Sequence, residues 1–223
     1  MDASVLVTGG AGGLGRAVTA TLLEAGWRVV VPTETGGELE ERAGLDTCVA
    51  DLTDPDDVAR AVRRGAGDPE RPLRALVNLV GGFAAGQPVA DTPLAEFERQ
   101  FALNLRPTYL VTQAALPRLL AAGGGSIVCT ASNAALQPFA GAAGYVASKA
   151  AVLAFAKVVA LEHATEGVRC NAIVPTMIDT PANRAAMPES EHHKLVPPER
   201  IARVVRFLVS DDSAAVNGQG LVV

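Results

Sequence analysis

The stretch that decides the fold is Thr8-Gly9-Gly10-Ala11-Gly12-Gly13-Leu14-Gly15, near the start of a 223-residue chain. It follows an apolar run typical of a strand and precedes a helical pattern that ends at Gly26. Its glycines also satisfy Gly-x-Gly-x-x-Gly spacing, which makes a tight turn, leaves the backbone bare and aims a helix N-terminus at a pyrophosphate. In this strand-turn-helix context the stretch predicts a dinucleotide-binding turn, with a merely flexible turn as the alternative.

Strand-like apolar runs alternate with helical patterns from end to end, which predicts an α/β fold. We expect a single-domain, doubly wound (Rossmann) parallel sheet with helices on both faces, spanning residues 1–223, and a lid at residues 176–197. The predicted strands are Ser4–Val7, Arg28–Val31, Thr47–Ala50, Leu73–Leu79, Ser126–Ala131, Val168–Val174 and Gly220–Val223. The predicted helices are Leu14–Ala25, one that Asp54 caps and Pro55 opens, Asn104–Ala122, Gly144–His163 and Pro198–Leu208.

The composition limits the classes of function that the chain can have. Hydrophobic residues make up 49% and charged residues 19%, which suits a large core and not a disordered chain. The formal net charge of −5 argues against nucleic acid or an anionic membrane as partner, because both need a basic patch. Asp2 follows Met1, so we expect no signal peptide. The longest apolar run, Ala150–Ala160, is interrupted by Lys157 and is shorter than the ~20 residues that cross a bilayer.

Three cysteines, Cys48, Cys129 and Cys170, each lie in a short apolar run. An odd number without a pairing pattern is typical of a reducing compartment, and buried strand positions explain the three better than a metal or thiolate site does. We therefore expect a cytoplasmic protein.

Tyr145 and Lys149 stand four residues apart within a long apolar helical pattern, so they share one face of that helix. A neighbouring positive charge lowers the pKa of a phenol from its ordinary value near ~10, so such a pair can move a proton. A buried tyrosine beside an exposed lysine is the plainer interpretation of the pair alone. Ser132 upstream and the glycine turn favour the catalytic one.

The end of the second strand carries information about the coenzyme. An acidic residue there binds the ribose diol of NAD, whereas a basic one accepts the 2′-phosphate of NADP. The chain has Pro32-Thr33-Glu34, with no Arg or Lys in this turn or within residues 9–15. Glu34 therefore favours NAD(H) over NADP(H), with a solvated loop charge as the alternative.

Together these residues resemble the short-chain dehydrogenase/reductase family across essentially the whole chain. Its Thr-Gly-x-x-x-Gly-x-Gly turn corresponds to Thr8, Gly9, Gly13 and Gly15. Its Asn-Asn-Ala-Gly segment is only partly matched by Asn78-Leu79-Val80-Gly81, and its Pro-Gly after the sixth strand appears as Pro175-Thr176. The resemblance implies a hydride transfer between a nicotinamide and a small carbonyl or alcohol.

The resemblance also implies roles for individual residues. Tyr145 would be the general acid, Lys149 would tune it and hold the nicotinamide ribose, Ser132 would bind the substrate oxygen, and Asn104 would position a water. The last two residues could instead be a turn residue and a helix cap. The implied cofactor-binding set is Thr8, Gly9, Gly13, Leu14, Gly15, Glu34, Asp51, Leu52, Asn78, Gly81, Tyr145, Lys149, Pro175, Ile178 and Thr180.

A second, finer resemblance is to the dihydropteridine reductase branch. It is carried by Trp27, by Gly81-Gly82-Phe83-Ala84 and by the stretch Asp179–Pro188. The presence of Ser132, and of Thr33 where that branch usually has an acid, favours ordinary carbonyl chemistry. An NADH-dependent dihydropteridine reductase and a non-catalytic dinucleotide-binding regulator remain the alternatives.

Two further expectations concern metal and assembly. His192 and His193 lie near Glu189 and Glu191, but adjacent histidines point apart, so we expect a solvated lid and no metal site. The helix around Tyr145–Glu162 is apolar nearly all round, so its outer face needs cover. We expect self-association through this helix and Asn104–Ala122, and the family resemblance implies a homodimer or homotetramer.

Overall fold

The computed structural model describes residues 2–223. Its strands are β1 (Ser4–Thr8), β2 (Arg28–Thr33), β3 (Leu45–Val49), β4 (Leu73–Asn78), β5 (Gly125–Thr130), β6 (Val168–Val174) and β7 (Gly220–Val222). Its helices are α1 (Gly13–Glu24), α2 (Pro55–Gly65), α3 (Leu94–Asn104), α4 (Arg106–Ala121), α5 (Ala143–Glu162), α6 (Pro181–Ala186) and α7 (Pro198–Val209). The strands form one parallel sheet in the order β3-β2-β1-β4-β5-β6-β7.

Both faces of the sheet are covered, because successive strand residues point to opposite faces. In β1, Leu6 packs into the layer that contains α2, α4 and α5. Its neighbours Val5 and Val7 pack into the layer that contains α1 and α7. All five β1 residues are buried, which is typical of a central parallel strand. The predicted doubly wound parallel sheet is confirmed.

The strand order reverses between β1 and β4, which places a crevice outside their carboxyl ends. Thr8 and Asn78 pair at the last position of the two strands. The Leu79 amide donates to the Thr8 carbonyl and hydroxyl oxygens, at 3.2 Å each. Beyond this point the two chains separate, one into the glycine turn and the other towards Phe83.

The predicted helix from Asn104 to Ala122 is wrong at its start. Asn104 is the last residue of α3, and a separate helix, α4, begins at Arg106. Pro107 has no N–H for the carbonyl of residue 103, so the helix is interrupted at Leu105. Pro107 then takes the second position of α4, in its first turn as expected.

The sequence analysis missed α3, although apolar residues at helical spacing, Leu94, Phe97 and Phe101, follow Pro93. The other predicted boundaries differ from the structure by at most two residues. The predicted cap of α2 is present, since the Asp54 side chain accepts from the amides of Asp56 and Asp57 at 2.7 and 3.1 Å.

Residues 176–197 are more regular than their sequence suggested. They contain α6 and a 3₁₀ helix, Glu189–Lys194. A parallel bridge between Ile178 and Val196 holds the two ends of the segment together. The segment is therefore a structured unit on the carboxyl side of the sheet.

Helix α5 is long and apolar enough to cross a membrane by length and composition alone, which the broken run Ala150–Ala160 did not suggest. One of its faces is buried in the core, through Val152, Ala156 and Val159. It packs against α3, β5 and β6, as the core helix of a layered α/β fold does.

Candidate active site

Three glycines of the turn after β1 are fixed by contacts that leave no room for a side chain. Gly9 has φ of +67°, in the left-handed region that favours glycine. A Cβ on Gly15 would lie 2.0 Å from the Gly9 carbonyl oxygen, so only glycine lets α1 start this close to the turn. A Cβ on Gly13 would lie 2.7 Å from the Thr180 methyl group. The turn thus presents bare backbone, with Thr180 resting on it.

The first turn of α1 suits an anion. No side chain caps the helix, whose N-cap is Gly12, and its first turn contains no acidic residue. The N-terminal N–H groups of a helix have no partner within the helix and carry partial positive charge. Leu14 is buried in the core beneath the turn, so only its backbone is available to a ligand. A pyrophosphate fits these features.

Two acidic residues follow the neighbouring strands β2 and β3. Glu34 comes directly after β2 and is exposed. Asp51 lies just beyond β3, and its Oδ1 accepts from the Thr53 amide and hydroxyl at 2.8 and 2.7 Å. These hydrogen bonds lower the pKa of Asp51 and keep it ionised. Leu52 is buried in the core, so its side chain is not available to a ligand. The carboxylates of Glu34 and Asp51 are available at this edge.

Arg16 is a cation at this edge that directly follows the glycine turn, so the sequence of the turn alone does not reveal it. It lies in the first turns of α1 and is exposed. Its Nη2 donates to the Glu38 carbonyl oxygen at 2.6 Å, in the loop after β2. Arg16 therefore contacts the loop that begins with Glu34, and the two side chains have opposite charges.

Tyr145, Lys149 and Ser132 come together at the carboxyl end of β5. Tyr145 lies in the first turn of α5, and the Ser132 side chain lies close enough to its hydroxyl to lower its pKa. Lys149 is one turn further and only 4% exposed. Its Nζ donates to the Thr130 carbonyl oxygen, the last of β5, at 2.9 Å. Ser132 Oγ also accepts from the Ala134 amide at 3.2 Å, which orients it.

The electrostatics of this group differ from the expectation based on spacing. The pKa of Tyr145 is raised, because burial outweighs the lowering effect of the Ser132 side chain. Burial lowers the pKa of Lys149 from 10.5 to about 8, with a small opposing effect of Cys129. Lys149 points to the Thr130 carbonyl, so the lowering of the phenol's pKa that the four-residue spacing predicts is not a feature of this geometry.

Asn104 is fully buried and joins three parts of the site. Its Oδ1 accepts from the Gly82 amide at 3.0 Å, and its Nδ2 donates to Ser148 Oγ at 3.1 Å. Ser148 Oγ in turn donates to the Tyr145 carbonyl oxygen at 2.8 Å. The chain of bonds fixes the segment after β4 against the first turn of α5. Ser148 was missed in the sequence, where a polar residue three after Tyr145 in an apolar helix was the available signal.

Gly81 lies between Asn104 and Lys149. A Cβ at this position would be 2.6 Å from Asn104 Oδ1 and 2.9 Å from Lys149 Nζ. The two polar atoms therefore pack directly against the Gly81 backbone. Any side chain at residue 81 would displace Asn104 or Lys149.

The remaining predicted cofactor residues lie beneath or beside the crevice. Asn78 is 2% exposed and donates through Nδ2 to Thr112 Oγ1 at 3.1 Å, while its buried Oδ1 has no partner among residues 2–223. The Pro175 carbonyl accepts from the Asn133 amide at 2.8 Å, which ties the loops after β5 and β6 together. The Ile178 carbonyl accepts from the Thr180 amide at 2.9 Å, and Thr180 caps α6. These residues shape the crevice more than they line it with polar groups.

Aromatic rings stand beside the phenol. The Phe83 ring meets the Tyr145 ring edge-on, with centroids 4.9 Å apart and planes at 87°. Phe139, on the loop after β5, lies 6.4 Å from Phe83. Nothing in the sequence around Phe83 indicates this contact.

The histidine pair lies apart from this group. His192 Nε2 lies 3.1 Å from the Arg184 carbonyl oxygen, and His193 Nδ1 lies 2.8 Å from that of Ser190. Within residues 2–223 no three His, Cys, Asp or Glu side chains form a cluster able to hold a metal ion. Cys48, Cys129 and Cys170 are free and lie in β3, β5 and β6, as predicted for strand residues; Cys129 and Cys170 are buried, whereas Cys48 is only partly buried.

Comparison with known proteins gives a consistent result. The model of the short chain dehydrogenase family matches residues 3–191. 2-(R)-hydroxypropyl-CoM dehydrogenase of Xanthobacter autotrophicus is 35% identical over 100% of this chain and 97% of its own. D-threitol dehydrogenase of Mycolicibacterium smegmatis is 34% identical over 98% and 90%, respectively. The structure of a short-chain type dehydrogenase/reductase from Mycobacterium ulcerans superimposes with a TM-score of 0.93, at 27% identity, over 100% of this chain and 88% of that one.

Proposed function

This chain belongs to the short-chain dehydrogenase/reductase family and is an oxidoreductase that acts on alcohols and carbonyls with a nicotinamide dinucleotide, and we propose that Tyr145, Lys149 and Ser132 carry its reaction. The observation that carries the proposal is the convergence of these side chains at the carboxyl end of β5, beside the crevice between β1 and β4.

The chain fits a dinucleotide along the carboxyl edge of the sheet. The bare turn and the uncapped N-terminus of α1 would hold the pyrophosphate. Glu34 and Asp51 would bind the adenosine end, and Thr180 would close over the turn. Gly81 lets the backbone pass close to Lys149, whose Nζ would bind the nicotinamide ribose.

When bound, the dinucleotide supplies or accepts the hydride. In reduction, the Tyr145 hydroxyl donates a proton to the substrate oxygen, and its raised pKa keeps that proton available at neutral pH. The Ser132 hydroxyl donates a hydrogen bond to the same oxygen, where negative charge develops. Asn104 would position a water that links Lys149 to solvent, and this water would return the proton. Oxidation follows the same steps in reverse.

We propose NAD(H) over NADP(H) as the coenzyme. The support is the exposed carboxylate of Glu34 at the end of β2, which would repel a 2′-phosphate. Arg16, which contacts the loop that begins with Glu34, opposes this preference. Paired titrations with NADH and NADPH test it, and a tenfold or greater preference for NADPH would overturn it.

We propose three further properties. Residues 176–197 act as a lid, supported by the contact of Thr180 with Gly13. The protein is cytoplasmic, supported by its three free thiols, and fractionation of cells that express it tests this.

The protein is a homodimer or homotetramer through α4 and α5, supported by the exposed Tyr109, Val158 and Leu161. Light scattering across a dilution series tests the last point, and a monomer at every concentration would refute it.

Tyr145→Phe tests the catalytic assignment directly. The variant keeps the ring beside Phe83 but loses the proton donor, so we expect turnover to fall by ~10²–10⁴-fold. NADH affinity, measured by calorimetry, is expected to stay within about threefold, because Tyr145 meets the substrate side of the site. The chain has one other tyrosine, Tyr109, which is exposed on α4, so Tyr109→Phe is the matched control with unchanged turnover.

Near-normal turnover of Tyr145→Phe would refute the assignment. If the wild-type protein binds NADH but reduces no carbonyl of a broad panel, a non-catalytic dinucleotide-binding regulator would replace the enzyme. Turnover of quinonoid dihydropterin alone would favour a pterin reductase. The comparisons do not favour either alternative over an alcohol or carbonyl substrate.

A further inference from the structure

We propose that the site selects uncharged, carbon-rich secondary alcohols and their ketones, and that Phe83, backed by Phe139, is the side chain that selects them. This inference deepens the proposed function and rests on it.

Phe83 combines contact with the proton donor and exposure to solvent. Its ring touches the Tyr145 ring edge-on, yet the residue is 63% exposed, and Phe139 behind it is 49% exposed. Large apolar side chains that stay exposed around a functional group mark a binding surface. Leu136 and Met177, on the loops after β5 and β6, are also exposed. An apolar substrate that reaches the Tyr145 hydroxyl would cover the free part of the Phe83 ring.

The two loops that carry these rings are joined by the backbone. The Gly86 amide donates to the Gly141 carbonyl oxygen at 2.8 Å. Gly141 has φ of +81°, a conformation that favours glycine, so the bend that makes this bond is encoded in the sequence. Phe83 and Phe139 lie within three residues of the joined glycines. The apolar surface formed by Phe83 and Phe139 is therefore in place before a substrate binds, which reduces the conformational entropy lost on binding.

The same loops contain no group that could neutralise a charged substrate. Residues 79–88 and 131–142 include no Asp, Glu, Lys, Arg or His. On the loop after β6, Asp179 is paired with Arg184, with 2.6 Å between Oδ2 and Nη2, and Glu191 is paired with Lys194 at 3.1 Å. His192 and His193 of this loop lie beside backbone carbonyl oxygens. A carboxylate, sulfonate or phosphate that is held against the Phe83 and Phe139 rings would lose part of its hydration and meet no opposite charge on either of these loops. Uncharged substrates meet no such penalty.

The test is a comparison of kcat/KM for oxidation of 1-phenylethanol, 2-propanol and 3-hydroxybutyrate by the full-length protein. We expect the wild type to prefer 1-phenylethanol to 3-hydroxybutyrate by at least about 100-fold. Phe83→Ala is expected to lower kcat/KM for 1-phenylethanol by about tenfold or more, as expected for a lost aromatic contact surface. The value for 2-propanol, too small to cover the ring, is expected to change less than about threefold. Phe83→Leu keeps apolar surface and is expected to retain most of the preference.

Phe207→Ala is the matched control, since Phe207 is partly exposed on α7, across the sheet from Tyr145, and is expected to leave all three values unchanged. The inference is overturned if 3-hydroxybutyrate is used as well as 1-phenylethanol, or if Phe83→Ala lowers the values for both neutral alcohols equally. Efficient use of 3-hydroxybutyrate that disappears in Tyr145→Phe would overturn this inference and leave the proposed function standing. Absence of turnover with any alcohol or ketone would overturn both.

Discussion

The nucleotide side and the catalytic side of the crevice are built in opposite ways. On the nucleotide side, the turn between β1 and α1 works because side chains are absent, and backbone contacts at Gly9 and Gly15 leave no room even for a methyl group. On the catalytic side, Lys149 and Asn104 are buried polar side chains held by hydrogen bonds. Adding atoms should therefore damage the first region, and removing or altering polar groups should damage the second.

The difference has an electrostatic counterpart. The turn needs no ionised side chain, since the N-terminus of α1 supplies partial positive charge. Across the crevice, burial lowers the pKa of Lys149 and raises that of Tyr145. Both shifts disfavour the charged form, so pH should affect the catalytic side much more than the nucleotide side.

The largest effect is expected for Gly15→Ala. The added Cβ would lie 2.0 Å from the Gly9 carbonyl oxygen and 2.7 Å from the Gly10 backbone, so the turn must move. We expect NADH affinity to fall by at least about 100-fold, because precise placement of backbone donors is lost. Gly36→Ala in the loop after β2 is the control, since its Cβ meets only Val49, at 3.9 Å.

Calorimetric titration of NADH and thermal unfolding of both variants check this prediction. If Gly15→Ala folds and binds NADH with unchanged affinity, the contrast between the nucleotide side and the catalytic side is wrong, because the turn would then not depend on bare backbone. If that variant fails to fold while Gly36→Ala folds, the clash is confirmed as structural, and Gly13→Ala, which meets only the Thr180 side chain, measures the effect on affinity.

A smaller effect, confined to the catalytic side, is expected from pH. The lowered pKa of Lys149 means that its positive charge is present below about 8 and lost as pH rises through that value. Tyr145, with a raised pKa, keeps its proton over the same range. If the charge is needed, kcat/KM for reduction falls by about tenfold per pH unit above that pKa.

Lys149→Arg sharpens the pH prediction, because a guanidinium stays charged to a pH of about 12. In this variant we expect kcat/KM to fall at a pH more than about one unit higher than in the wild type, and its maximal rate to be lower. Lys157→Arg on the same helix, where Lys157 is exposed, is the control with an unchanged profile. An unshifted limb in Lys149→Arg would assign the titration to another group.

The smallest effect is expected for Glu34→Gln, where the nucleotide side does depend on a side-chain charge. One exposed charge pair is worth about 1 kcal/mol, so the preference for NADH over NADPH should narrow by about fivefold. Arg16→Ala should widen it by a similar factor, because it removes the opposing cation. Ratios of kcat/KM for the two coenzymes measure both, with Glu40→Gln, an exposed acid of the same loop, as control. If the ratio of kcat/KM for NADH to that for NADPH is the same in all variants, neither Glu34 nor Arg16 contributes to discrimination at the 2′ position of the coenzyme.

The sequence predicted what is local in the chain. The glycine turn, the strands and the Tyr145–Lys149 pair depend on short spacings, and the sheet with helices on both faces follows from the alternation of elements. Helix α3 was missed although its apolar spacing was visible, and the break at Leu105 follows from Pro107.

Contacts between distant segments could not be predicted in the same way. The bonds from Asn104 to Ser148 and to Gly82, and the direction of Lys149 towards Thr130, depend on how the loops meet in space. The raised pKa of Tyr145 depends on burial, which spacing alone does not give. Arg16 was overlooked because its side chain reaches a loop far along the chain.

The contact between Thr180 and Gly13 has a consequence for biosynthesis. The two residues are 167 positions apart, so a ribosome must make the whole intervening segment before this contact can form. Pairings between such remote segments are slow to form, because the entropy of closing a long loop is lost first. The nascent chain therefore contains its glycine turn long before the cleft is complete, and it becomes able to bind the dinucleotide only late in folding.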